Sequence, residues 1–152
     1  MEKKYKLTEE TIKVEGSILY RIEALQDFAD VKRGDKGGYV EKEENLSQSG
    51  DCWIYNDAMV YGKAQVCGDA MVCGDALVCD DAMVYGDAMV YGDAMVYGDA
   101  QIYNDAIVYG NAEIYGNVYV YGNAMVLGFA KVYGNAIVHD NAKIYGDAEV
   151  CD

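Results

Sequence analysis

Aspartate and tyrosine return in this chain at a fixed interval, and both can carry chemistry. A carboxylate can hold a cation, move a proton or meet a basic surface, and a phenol can hydrogen-bond or lie flat against a partner. Asp57, Asp69, Asp75, Asp81, Asp87, Asp93, Asp99 and Asp105 are all separated by multiples of six. Tyr85, Tyr91, Tyr97 and Tyr103 stand two residues before aspartates of this series, and Met83, Met89 and Met95 two residues before tyrosines. Past Asp105 the aspartate slot turns to asparagine at Asn111, Asn117, Asn123, Asn135 and Asn141.

Groups suited to catalysis are few. His139 is the single histidine, so a zinc centre that needs several imidazoles around one ion cannot be assembled. Cys67, Cys73 and Cys79 occupy a slot that elsewhere holds tyrosine; six apart, they leave from different faces of a coil and read as free thiols within a ladder. Gly37-Gly38 has no Lys-Ser/Thr behind it, which removes a phosphate loop and leaves a turn. The period of six and the missing doubled glycines speak against a calcium-binding nonapeptide roll. No cofactor is expected.

The element that must position these groups is the repeat itself, V-Y-G-D-A-x, as in Val84-Tyr85-Gly86-Asp87-Ala88-Met89, over about sixteen copies. Within A-x-V-Y, alternation puts alanine and valine inward and the other two outward, as in a short strand. The slot after tyrosine is glycine or one of Asn56, Asp80, Asn104 and Asp140, residue types that accept a positive φ, so each unit ends in a corner. Three units close an 18-residue coil. Residues 18 apart then stack, which puts Tyr97, Tyr115 and Tyr133 in one column, Tyr85, Tyr103 and Tyr121 in a second, and Tyr91 with Tyr109 in a third. The aspartates form three corner columns: Asp69, Asp87 and Asp105; Asp81 and Asp99; Asp57, Asp75 and Asp93. Five to six coils at roughly 4.8 Å each predict a rod of about 25–30 Å.

The formal charge is −14, unevenly spread: residues 51–105 hold ten acids against Lys63. So acidic a surface excludes nucleic acid as a direct ligand, because phosphate binding requires lysine and arginine to displace counterions. No apolar run reaches the roughly 18 residues of a membrane span, and Met1 to Tyr5 lead into no signal sequence, so no membrane association and a bacterial host cytosol are expected.

An aliphatic residue with a small residue four positions later, continuous from Ile54 to Val150, resembles the bacterial hexapeptide-repeat family. That resemblance implies an all-β fold, a left-handed parallel β-helix. Residues 3–24 alternate as strands around a turn at Glu15-Gly16-Ser17, a hairpin suited to cover one end of the coil. The expected division is a cap with a first irregular coil over 1–50 and the repeat solenoid over 51–152. The stretch from Ile22 through Phe28, Gly37-Gly38-Tyr39-Val40 and Asn45-Leu46-Ser47 to Trp53-Ile54-Tyr55 resembles leaders found before such arrays in bacteriophage and prophage proteins. Acyltransferases of the hexapeptide family use a catalytic histidine with loops that leave the coil; here only His139 is present and the period admits no loop, so no enzymatic activity is expected. The resulting expectation is an acidic binding protein of phage type whose aspartate, tyrosine and methionine residues occupy a partner's basic nucleic-acid-binding surface. The alternative is a structural rod, with a homodimer through its uncapped carboxyl-terminal coil.

Overall fold

The computed structural model describes residues 2–152 and consists of strands joined by corners, with one 3-10 turn at Glu43–Asn45. It is an all-β solenoid of about six turns with an 18-residue spacing. Strands of two residues run from Trp53–Ile54 to Glu149–Val150 and assemble into three arrays. A six-stranded sheet stacks Trp53, Met71, Met89, Ile107, Met125 and Lys143. A five-stranded sheet stacks Gln65, Met83, Gln101, Tyr119 and Ile137. The third is nine-stranded and carries Met59, Leu77, Met95, Glu113, Lys131 and Glu149 beyond three longer strands at its amino-terminal edge.

The local cause is the inward pair of each unit. Alanine and its branched partner alternate about the pleat, and rows such as Ala70, Ala88, Ala106 and Val72, Val90, Val108 are completely buried. Burying each valine side chain contributes about 1.5–3 kcal/mol before entropy is subtracted. Alanine fills the second inward slot of nearly every unit; Val118 takes that slot in one unit and is also fully buried. The corner closes because the residue after tyrosine turns left-handed: φ is 67° at Gly86, and 57°, 60°, 58° and 56° at Asn56, Asp80, Asn104 and Asp140. These are the positions at which the repeat pattern requires such a residue.

Strands β1 (Tyr5–Val14) and β2 (Ser17–Ala24) form the hairpin, and Glu15 and Gly16 turn it with φ of 50° and 86°. β2 pairs antiparallel with β3 (Lys36–Val40), which pairs parallel with Met59–Val60 and so begins the first coil. The hairpin also folds over the nine-stranded face: Leu19, with Ile12 and Val14, packs on Tyr39, Tyr61 and Cys79. Trp53 is buried beneath Tyr5 and Phe28, both in edge-on contact with its ring. Buried Asn45 closes this end by donating to the carbonyls of Gly62 and Ala64, and buried Lys4 does so at Gly50 and Cys52. The first coil is two residues longer than the others, since Leu46 pairs with Val66 whereas Trp53 pairs with Met71. No helix among the described residues is long and apolar enough to cross a membrane.

Gly37-Gly38 departs from the sequence expectation of a turn. Both glycines lie inside β3 and are buried. A Cβ on Gly37 would stand 2.5 Å from the Ile54 carbonyl oxygen and 2.8 Å from the Trp53 ring, and one on Gly38 would collide with the Ala58 carbonyl. The pair is there for close approach of backbones, which composition alone does not separate from turn chemistry. Gly38→Ala is therefore expected to destabilise the protein by about 1–3 kcal/mol, whereas Gly16→Asn, in an open left-handed turn, should change stability by under about 1 kcal/mol, both read by denaturant unfolding.

Candidate functional site

The corners present Asp57, Asp69, Asp75, Asp81, Asp87, Asp93, Asp99 and Asp105 to solvent. The backbone amide of each aspartate reaches the residue one coil on, as in Asp69 to Gly86 and Asp87 to Asn104, both 2.9 Å, so carboxylates recur once per coil. Two of the eight side chains are engaged by the fold. Asp57 receives Arg21 Nη2 at 3.0 Å, and Asp69 Oδ1 accepts from the Asp51 amide at 3.1 Å. Lys63 heads the column of Asp81 and Asp99, and the three line a shallow depression with Asp80. Neighbouring carboxylates about 4.9 Å apart repel by just under 1 kcal/mol in bulk water, and less at physiological ionic strength. The aspartate half of the rod therefore carries a small electrostatic cost that the asparagine half does not.

The tyrosines form ladders as the period requires. Tyr85 and Tyr103, and Tyr91 and Tyr109, stack with ring centroids 4.9 Å apart; Tyr97 on Tyr115 and Tyr103 on Tyr121 follow at 5.0 Å. Each stacked pair contributes up to about 1 kcal/mol. Burial, reinforced by neighbouring phenols, raises the pKa of Tyr85, Tyr91 and Tyr103; at Tyr97 burial leads and Glu113 adds to it. Cys151 and Glu149 push Tyr133 up to about 12.

The three faces divide the sequence-derived residues. Met83, Tyr85 and Tyr103 point from the five-stranded face, Met89 and Tyr91 from the six-stranded face, and Met95 and Tyr97 from the nine-stranded face. A flat partner reaches one of these groups; only a channel around the rod reaches all of them. The hairpin covers the first coils of the nine-stranded face, so Tyr61 and Cys79 are buried there. Cys67, Cys73 and Cys79 each leave from a different face.

His139 ends the column of Tyr85, Tyr103 and Tyr121, stacked on Tyr121 at 5.6 Å. Its Nδ1 lies 3.2 Å from Asp140 Oδ2. Sequence reasoning passed over Arg21, whose guanidinium bonds Glu10, Asp57, the Gly37 carbonyl and the Tyr39 hydroxyl. Its position in an alternating hairpin strand gives no sign of that convergence. Phe129, the apolar member of an otherwise polar corner slot, is 63% exposed.

Fold and surface together define a three-sided parallel β-solenoid of hexapeptide type, regular within and acidic at its corners over the first half. Two stretches, 64–80 and 100–116, match the family described as YdcK Beta solenoid repeat. The chain is also similar to the protein named Uncharacterized acetyltransferase YdcK of Escherichia coli (strain K12), 39% identical over 62 residues. That match takes in 36% of this chain and 19% of the relative, so the likeness spans about a fifth of the relative's length. The expectation of a chain without enzymatic activity is corrected here, because this relative carries the name of an acetyltransferase. The expectation had leaned on there being one histidine and no loop; neither feature bears on residues that lie outside the repeat.

Two measurements follow from the ladders. Neutral phenols are favoured by the folded state, so stability should be constant up to about pH 9 and fall as pH rises through about 10 towards 12, read by urea midpoints across pH. Replacing Asp69, Asp87 and Asp105 together by asparagine should leave the fold intact and raise the thermal midpoint by a few degrees at low salt, an increase that shrinks in high salt.

Proposed function

We propose that this chain is an acidic protein-binding rod of phage type that enters the basic channel of a bacterial nucleic-acid-handling protein, such as a restriction or CRISPR nuclease, and competes with nucleic acid there. One observation carries the reading. Residues 51–105 hold a net charge of −9 over about three coils, or about 15 Å of axis, which is one charge per about 1.6 Å; duplex DNA carries one per about 1.7 Å. The carboxylates sit on three corners of a rigid rod, so a basic channel meets negative charge on every side. The partner would be met in the bacterial cytosol. The leader resemblance to phage and prophage proteins agrees with a host enzyme as target.

The test is competition. At about 50 mM salt the purified protein should displace labelled duplex DNA from a restriction endonuclease or a CRISPR nuclease, and the effect should fade by about 300 mM. The Asp69→Asn, Asp87→Asn, Asp105→Asn variant should compete on the order of tenfold less well. Asparagine already fills the same corners at Asn123 and Asn141, so a folding defect is not expected to confuse the result. Undiminished competition by this variant, or none by the parent at low salt, would refute the reading.

A second reading is favoured by the relative's name: acetyl transfer, with His139 as the base. Nε2 would take a proton from an acceptor amine as the amine nitrogen attacks the thioester carbonyl of acetyl-coenzyme A; the amide C–N bond would form, the C–S bond break, and the same proton pass from the imidazolium to the departing thiolate. Thiol release from acetyl-coenzyme A in the presence of an amine panel should then be detectable and lost in His139→Ala; release no faster than without protein would dismiss this reading.

A further inference from the structure

The six-stranded face differs from the other two in being apolar along four consecutive coils. Its outward residues are Met71, Met89, Ile107 and Met125 in one column and Cys73, Tyr91, Tyr109 and Leu127 in the next. Every one is partly exposed, and the two tyrosine hydroxyls are the only oxygens these side chains bring to the surface. The nine-stranded face is covered at its start by the hairpin and carries Glu113 and Lys131 further on. On the five-stranded face Gln65 and Gln101 interrupt the apolar column, with Tyr85 hydroxyl donating to Gln101 at 3.0 Å. Over its first coils the six-stranded face is also bordered by carboxylates along both edges: Asp69, Asp87 and Asp105 precede its strands and Asp75 and Asp93 follow them, while the later corners hold Asn111, Asn123 and Phe129.

We infer that this face is the docking site for a basic amphipathic helix of a partner protein, an inference that rests on the reading of the chain as an acidic protein-binding rod. Three features fit that occupant. An apolar stripe flanked on both sides by lysine or arginine is the complement of an apolar face flanked on both sides by aspartate. A helix is about 10–12 Å across, close to the about 13 Å spanned by the four residues of A-x-V-Y between corners. A helix also rises about 5.4 Å per turn, near the 4.9 Å between Tyr91 and Tyr109, so each turn meets one coil, with one apolar residue on the sulfur and ring surface and basic residues reaching the corner columns. Methionine suits such a face because its unbranched, polarisable side chain adapts to differently shaped apolar residues. The four coils accommodate about three turns, a small contact that implies micromolar binding, strongest at low salt.

The experiment uses the full chain and a 14-residue helical leucine/lysine peptide with a leucine stripe and lysines along both edges. A glutamate counterpart and a scrambled lysine peptide of the same composition serve as controls, all followed by fluorescence anisotropy at about 50 mM salt. The amphipathic basic peptide should bind at least about tenfold more tightly than the scrambled one, and the glutamate peptide should not bind. Met89→Lys with Ile107→Lys should weaken binding by about tenfold or more, while Gln65→Lys with Gln101→Lys, the same charge change on the five-stranded face, should leave it within about twofold. Lys143 already occupies the column of Met89 and Ile107, so the first variant should fold, which circular dichroism and thermal melting verify. Equal binding of the amphipathic and scrambled peptides, or equal loss in both double variants, overturns the helix-docking face while leaving a diffuse acidic binding rod. Failure of every basic peptide to bind at low salt overturns both. Light scattering that shows an oligomer dissolved by the Met89→Lys, Ile107→Lys change also overturns the inference, because a second copy would then be the occupant.

Discussion

Everything on this molecule depends on the in-register hydrogen bonding of one coil to the next. Tyr91 donates to Val108 at 2.9 Å, Asp87 to Asn104 at 2.9 Å and Met89 to Ala106 at 3.0 Å, so strand and corner alike are tied to the residue one coil further on. That ladder fixes the distance between equivalent side chains along each column, and nothing in the corners allows a coil to slide without turning its valines outward. The exception is the first coil, where two added residues are absorbed between Leu46 and Gly50 beside the buried amide of Asn45.

A fixed column makes the choice of each outward residue an interaction with itself. Tyrosine repeated along a column gains ring stacking, and methionine gains dispersion and adaptable contact. Aspartate repeated along a column meets like charge once per coil, and among the described residues the ion pair that the series makes is that of Asp57 with Arg21. Asparagine would serve the corner equally well, as it does beyond Asp105. The acidic half is thus held against a mild electrostatic penalty, and this asymmetry is why its carboxylates are the groups to which a binding role is attached.

The same ladder bears on catalysis. The repeat brings one imidazole to the surface, beside Asp140 and on the ring of Tyr121, without enclosing it in a cleft. The likeness to a protein named as an acetyltransferase spans about a fifth of that relative. The family match lies in the repeat, at 64–80 and 100–116, a scaffold on which hexapeptide proteins carry different activities. Chemistry and scaffold are separable in such a fold, so a single histidine within the repeat does not decide whether the chain is active.

The sequence by itself determined the inward and outward alternation, the left-handed corners at Asn56, Asp80, Asn104 and Asp140, the columns 18 apart and the hairpin turning at Glu15-Gly16. All of these are periodic or local, and periodicity in a chain becomes periodicity in space once each coil is hydrogen-bonded to the next. Tertiary structure alone decided the role of Gly37-Gly38, the convergence of Arg21 on Asp57 and Tyr39, and the burial of Tyr61 and Cys79 under the hairpin. Those outcomes depend on how the aperiodic first fifty residues fold back on the repeat, a set of contacts between positions with no regular spacing, and no local pattern records them.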